Sequence, residues 1–361
     1  MTTTQTTHTT HTLLRGIFII LSAFLPLAAP AQTPAPKPPV KIIFDTDMGN
    51  DVDDAIALAA IHAIQSRGIC ELLAVTHTCP LPGAAAYTVA VNTFYGRPGI
   101  PVGDTSDAPL AERQSKYLRV ALQQGADGQP LYPAKFDPRA TPSAVDLLRR
   151  TLAAAADGEI VMIQTGFSTN LARLLDSPPD AASPLPGIEL VRRKVRLLSI
   201  MAGNFSTVSP GKTAQPEYNV KWDIPAARKL ASDWPTPVWW SDVTIGRAVP
   251  YPAWSIDNDF GYVPHHIIKD SYQAFRPTPH ERPCWDPTSV IAAVWPERGY
   301  FDQAKGRVSI DEKGITTFAP DKNGRDVMLK VNQIQRARLR ELLAALASEP
   351  PHCQSSLNRS P

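Results

Sequence analysis

Five aspartates fall within ten residues, Asp45-Thr46-Asp47-Met48-Gly49-Asn50-Asp51-Val52-Asp53-Asp54, directly after the short apolar run Lys41-Ile42-Ile43-Phe44. Burying like charges side by side is costly without a positive partner. The nearest basic residues in sequence, Lys41 and Arg67, lie outside the run. A hard cation held by carboxylate oxygens, calcium or magnesium, is the economical solution. One or two acids would only complement a helix dipole; five with Gly49 between them exceed that role. The glycine and glutamate spacing is not that of an EF-hand loop.

The elements around this run define the fold class. Apolar runs at 41–44, 72–78, 100–103, 160–164, 195–202, 237–240 and 307–310 read as strands. Residues 53–61, 84–95, 144–156, 168–175, 225–232, 286–295 and 333–347 read as helices. Strands alternating with helices predict an α/β protein: an open, mostly parallel, Rossmann-like sheet with helices on both faces, in a single domain. Ligands of such a sheet bind beyond the carboxyl ends of its strands, so the residues just after each strand carry the information. Residues 105–140, polar and rich in proline and glycine, read as a long loop near a site. Trp239-Trp240 is read as core.

Composition narrows the partners. Lys and Arg total 36 against 34 Asp and Glu, and a net charge of +2 makes no electrostatic case for nucleic acid. Arg15, the apolar stretch 16–29 and Ala29-Pro30-Ala31 follow the order of a secretory signal peptide. The expected organisation is a signal peptide at 1–31, a Pro/Ala linker at 32–40, one domain at 41–348 and a tail at 349–361. That predicts a secreted or periplasmic protein with no stable membrane insertion after cleavage. Cys70, Cys79, Cys284 and Cys353 form no close metal-ligand quartet. Cys70 and Cys79 flank a strand, and their pairing stays open.

Phe44-Asp45-Thr46-Asp47-x-Gly49 followed by Asp53-Asp54-Ala55 resembles the signature of the inosine/uridine-preferring nucleoside hydrolase family. Three later stretches agree in order: Gln164-Thr165-Gly166-Phe167-Ser168-Thr169-Asn170-Leu171-Ala172, then Ala202-Gly203-Asn204 with Pro216-Glu217-Tyr218-Asn219-Val220, then Asp286 opening a late helix. The resemblance implies one calcium ion, a small-molecule nucleoside or riboside as substrate, and a homodimer or tetramer. It implies Asp47 as metal ligand and acceptor of a proton from the attacking water. It implies Asp54, the Thr165 carbonyl and Asp286 as further ligands. Asp53, Asn204, Glu217 and Asn219 would bind the ribose hydroxyls. The chemistry suits those types, because breaking an N-glycosidic bond builds positive charge on the sugar.

The chain departs from the family pattern in two places. The acidic run is two residues longer between Gly49 and Asp53, which leaves Asp51 as an alternative ligand. Trp285 stands where the family often carries a histidine, so leaving-group activation must come from elsewhere or the substrate carries a better leaving group; the indole is expected to stack on the base. His77, His265, His266 and His280 are candidates for the cleft. Two other readings stay open: a non-catalytic ribose-binding protein of the same fold, and a phosphatase of the haloacid-dehalogenase type with Asp45 as nucleophile. For the latter, Gly49 stands where a Thr or Val is expected, and the extra aspartates would repel phosphate.

Overall fold

A computed structural model describes residues 1–5, 38–105, 114–206 and 213–351. The chain divides between Lys37 and Pro38, and the fold below is that of the second unit. The signal peptide, most of the linker and nearly all of the tail expected from the sequence lie outside the described residues. No helix among the described residues is long and apolar enough to cross a membrane.

Nine strands form one sheet: β1 (Val40–Thr46), β2 (Cys70–His77), β3 (Val102–Gly103), β4 (Ile160–Gln164), β5 (Val195–Met201), β6 (Val238–Ser241), β7 (Asp302–Ile310), β8 (Thr316–Pro320) and β9 (Asp326–Lys330). Their order is β3-β2-β1-β4-β5-β6-β9-β7-β8. The pairs from β3 to β9 are parallel, and β7 runs antiparallel to both β8 and β9. The open, mostly parallel sheet is thus present, with an antiparallel edge whose β8 and β9 the sequence did not disclose. The winding reverses between β1 and β4, which opens a crevice at their carboxyl ends.

The helix Asp53–Ser66 follows β1 and is buried from Asp53 to Ile64. Its alanines and isoleucines are apolar all round, as befits a helix enclosed on every side. It packs against the helices Trp285–Val294 and Gln333–Ala347. The first of these is itself buried from Asp286 to Val294. Two helices with fully apolar bodies can therefore bring their acidic first turns together at one end of the core. Short helices at Gly187–Lys194, Tyr218–Trp222, Val243–Ala248, Ala253–Asn258 and Ile267–Phe275 were not expected. Each has ten residues or fewer and too few turns to show a clear period. Trp240 is buried in the core, and Trp239 packs partly buried against it. Cys70 is a free thiol that donates to the Ile61 carbonyl at 3.6 Å, so it is not bridged to Cys79.

Candidate active site

The acids of the run separate into distinct roles. β1 extends through Asp45 and Thr46, two residues beyond its apolar stretch. Asp45 is buried and accepts from Thr76 Oγ1 at 2.5 Å and Asn170 Nδ2 at 2.8 Å, so it ties β1 to β2 and to the helix Thr169–Asp176. The loop after β1 is pinned from the far side by Tyr117. The Gly49 amide donates to Tyr117 Oη at 2.7 Å, and that hydroxyl donates to the Asp51 carbonyl at 2.7 Å. Gly49 has φ 107°, and a Cβ there would stand 2.6 Å from Leu118 Cδ1. Only glycine meets both conditions. The long loop expected at 105–140 therefore reaches the site through Tyr117 and Leu118.

Asp53 joins two distant elements. Its Oδ2 accepts the backbone amides of Trp285 at 2.9 Å and Asp286 at 3.1 Å. These are orphan donors of a helix first turn, and Pro287 next to them has no amide to satisfy. Asp286 is thereby delivered to the acidic run. Ligand atoms of Asp53, Asp54 and Asp286 lie within 4.8 Å of one another, all three buried. Thr46 donates its hydroxyl to Asp54 Oδ1, while Asp54 Oδ2 is buried with no hydrogen-bond partner among the described residues. Burial, then the charges of neighbouring carboxylates, pushes Asp53, Asp54 and Asp286 well above the ordinary range. Asp47 adds to this repulsion on Asp54 and Asp286; burial holds Asp47 itself up at about 7, against a hydrogen bond from Asn50 Nδ2 at 3.0 Å. An all-oxygen cluster with an orphaned buried oxygen fits a hard divalent cation.

A cleft of about 720 Å³ opens on this cluster. All nine site residues expected from the sequence line it: Asp47, Asp53, Asp54, Thr165, Asn204, Glu217, Asn219, Trp285 and Asp286. Thr165 follows β4, and its carbonyl accepts from Asn219 Nδ2 at 2.7 Å. Glu217 caps the helix Tyr218–Trp222 by accepting the Asn219 and Val220 amides, and it also accepts the Gly203 amide. Burial raises it to about 7 against those donors. Asn204 Oδ1 accepts from Ser206. Asp53 lies within the carboxylate cluster and lines the cleft, with its Oδ2 engaged by the two backbone amides.

Asp51 is committed elsewhere. It forms a two-oxygen ion pair with Arg282, whose Nε lies 2.9 and 3.1 Å from Oδ1 and Oδ2. The Arg282 guanidinium in turn lies 5.1 Å from the Trp285 ring centre, so it occupies one face of the indole that was expected to meet a base. Arg282 is the residue that the sequence reading missed. Its only local signal is a position three residues before Trp285, in a segment with no period.

The histidines go to other places. None lines the cleft among the described residues. His77 is buried against Thr88 and lowered to about 4 by burial. His266 caps the helix Ile267–Phe275 among aromatic rings, and burial lowers it to about 3. His280 stacks on Tyr272, and His265 faces Asp270.

Trp285 sits directly on the helix Val243–Ala248. Its Nε1 donates to the Val243 carbonyl at 3.0 Å, and a Cβ on Gly246 would stand 2.1 Å from its Cδ1 and 2.5 Å from its Cα. Gly246→Ala is therefore expected to destabilise the protein by about 1–3 kcal/mol through overpacking. Denaturant melts with tryptophan emission check this; an unchanged midpoint would show that the two helices separate at little cost.

A sheet of this winding, with an acidic cluster and amide side chains at its switch point, defines an α/β protein whose carboxylates could hold a hard cation. Comparison with solved structures narrows the class. A plant nucleoside hydrolase superposes with a TM-score of 0.63 at 22% identity, over 87% of this chain and 100% of that one. A Bacillus anthracis structure described as an inosine-uridine preferring nucleoside hydrolase gives 0.63 at 18% identity, over 85% and 99%. Both likenesses are of fold. Residues 42–341 match the profile of inosine-uridine preferring nucleoside hydrolases, and the chain belongs to that family.

Among curated relatives, an uncharacterised protein of Schizosaccharomyces pombe is 32% identical over 196 residues, covering 54% of this chain and 58% of the relative. A pyrimidine-specific ribonucleoside hydrolase of Citrobacter koseri is 27% identical over 186 residues, covering 52% and 54%. The chain thus spans little more than half the length of these relatives.

Proposed function

We propose that this protein hydrolyses the N-glycosidic bond of ribonucleosides or related ribosides, releasing base and ribose, with one calcium ion in the aspartate cluster. The observation that carries the reading is the buried triad Asp53, Asp54 and Asp286 in a cleft also lined by Asn204, Glu217 and Asn219. Asp47, Asp54, Asp286 and the Thr165 carbonyl would hold the ion, and calcium suits such a large, irregular set of oxygens. When bound, the ion supplies charge that eases loss of a proton from water. Asp47 takes that proton as general base, its carboxylate oriented by Asn50. The amide and carboxylate groups of Asn204, Glu217 and Asn219 hold the ribose hydroxyls and favour the cationic sugar over the ground state.

Free ribose, read as reducing sugar after incubation with calcium and inosine, uridine, nicotinamide riboside or nitrophenyl riboside, tests the proposal. No ribose from any of them would overturn it. Tight riboside binding with no ribose released would favour a non-catalytic binder, the reading that the lack of a cleft histidine among the described residues supports. Residues 1–31 are read as a cleavable export signal, and an N-terminus other than Gln32 on the exported protein would count against that.

A further inference from the structure

Resting on the hydrolase reading, we infer that Arg282, held by Asp51 and packed against the Phe275 and Trp285 rings, is the group that stabilises the departing base. The guanidinium carbon lies 5.1 Å from the ring centres of both Phe275 and Trp285, and all three side chains line the cleft. Asp51 engages Nε and Nη2, and Nη1 makes no hydrogen bond among the described residues. A planar fork fixed on one edge by Asp51 and packed against aromatic rings presents its remaining donors in one direction, with little left to reorganise.

The two extra residues of the acidic run have a use here. Asp51 lies in that longer segment, and Tyr117 anchors its carbonyl, so its carboxylate is carried to Arg282 instead of the cluster. Lys116 and Arg247 also line the cleft, and both are exposed. Among the described cations of the cleft, Arg282 alone combines an ion pair with contacts to two aromatic rings.

Arginine does not release its proton in water near neutrality. The step therefore differs from acid catalysis. The C1′–N bond breaks and its electron pair stays with the base. The water oxygen bonds to C1′ and its proton passes to Asp47. The base departs as an anion hydrogen-bonded to Arg282 and takes a proton from solvent while Asp47 returns its proton to solvent, so riboside and water give ribose and neutral base. Leaving groups that tolerate negative charge poorly depend most on Arg282.

The test uses the full chain with calcium and compares uridine with 4-nitrophenyl riboside, whose leaving group is a stable anion. Arg282→Gln is expected to lower kcat for uridine on the order of 100-fold. The loss for nitrophenyl riboside is expected to be about tenfold smaller or less, because its departure needs less help. Arg282→Lys should not restore uridine turnover, since an ammonium cannot be held by two oxygens and still offer a fixed fork. Should Arg282→Gln fail to fold, Asp51→Asn carries the same comparison with Arg282 present but released. Equal losses on both substrates, wild-type rates on both, or full rescue by lysine would overturn the inference. Absence of ribose release from every riboside by the wild-type protein overturns the hydrolase reading and this inference together, which sets that result apart.

Discussion

Asp47→Ala is expected to reduce ribose release by about 10³-fold or more. General base catalysis alone contributes about 10²–10⁴-fold, and removal of this side chain also takes an oxygen from the cation site. The effect should fall on kcat more than on KM, because in the proposed mechanism Asp47 acts on the water and on charge that develops during reaction. Asp51→Ala should be the milder change, since its carboxylate is engaged by Arg282 and not by the cluster. Kinetics on uridine and inosine, with calcium content and melting temperature measured on each variant, check this order. If Asp51→Ala retains less activity than Asp47→Ala while binding calcium normally, the assignment of the general base is wrong.

The second large effect concerns the cation and its coupling to pH. Asp53, Asp54 and Asp286 have folded-state pKa values well above the ordinary carboxylate range, through burial and mutual repulsion. Asp47 and Glu217 stand at about 7, raised chiefly by burial. In cation-free buffer the folded state therefore keeps protons that the unfolded state releases above its ordinary carboxylate pKa of about 4. Stability from these groups is full below that pH and is lost as pH rises through the folded-state values. A bound divalent cation replaces the protons and removes the trend. At a calcium concentration of about 100 times Kd, binding should add about 2.7 kcal/mol. The expected result is a calcium-dependent rise in melting temperature that widens from pH 5 to pH 8. Metal analysis after dialysis should find one ion per chain. Melting curves that coincide with and without chelator at pH 8, in protein free of bound metal, would remove the cation from the site.

Alternative substrates bear on the same cleft. With Arg282 on one face of Trp285, Trp285→Ala is expected to loosen Arg282 as well as remove an aromatic wall. Its cost should thus be larger for nucleosides than for free ribose binding. Comparison of uridine KM with ribose inhibition in the same variant measures this.

Local chemistry made much of the site legible in the sequence. Five aspartates after an apolar strand cannot be buried quietly, and Asp53-Asp54 open a helix whose apolar body follows at once. Thr165, Asn204 and Asp286 were placed by the family resemblance, on segments that follow an apolar run or begin a helix. The strand order could not be read in that way. β8 and β9 are five residues each and mix polar with apolar side chains, β8 at the sheet's edge and β9 between β6 and β7, too short to show a clear period. The loop histidines were eligible for the cleft by composition. Packing decided otherwise, since His266 and His280 gain aromatic contacts away from it.

The sequence by itself determined that acids would gather beyond β1, because charge and apolar pattern act over a few residues. It also carried the α/β alternation, whose periods are local. Only the tertiary structure decided which acid does what. Asp53 meets the amides of Trp285 and Asp286 across 232 and 233 positions, and Asp51 meets Arg282 across 231. Those partners are chosen by the packing of two buried helices and by the Tyr117 anchor on the loop. Such contacts depend on how apolar surfaces fit in three dimensions, and no spacing along the chain encodes them.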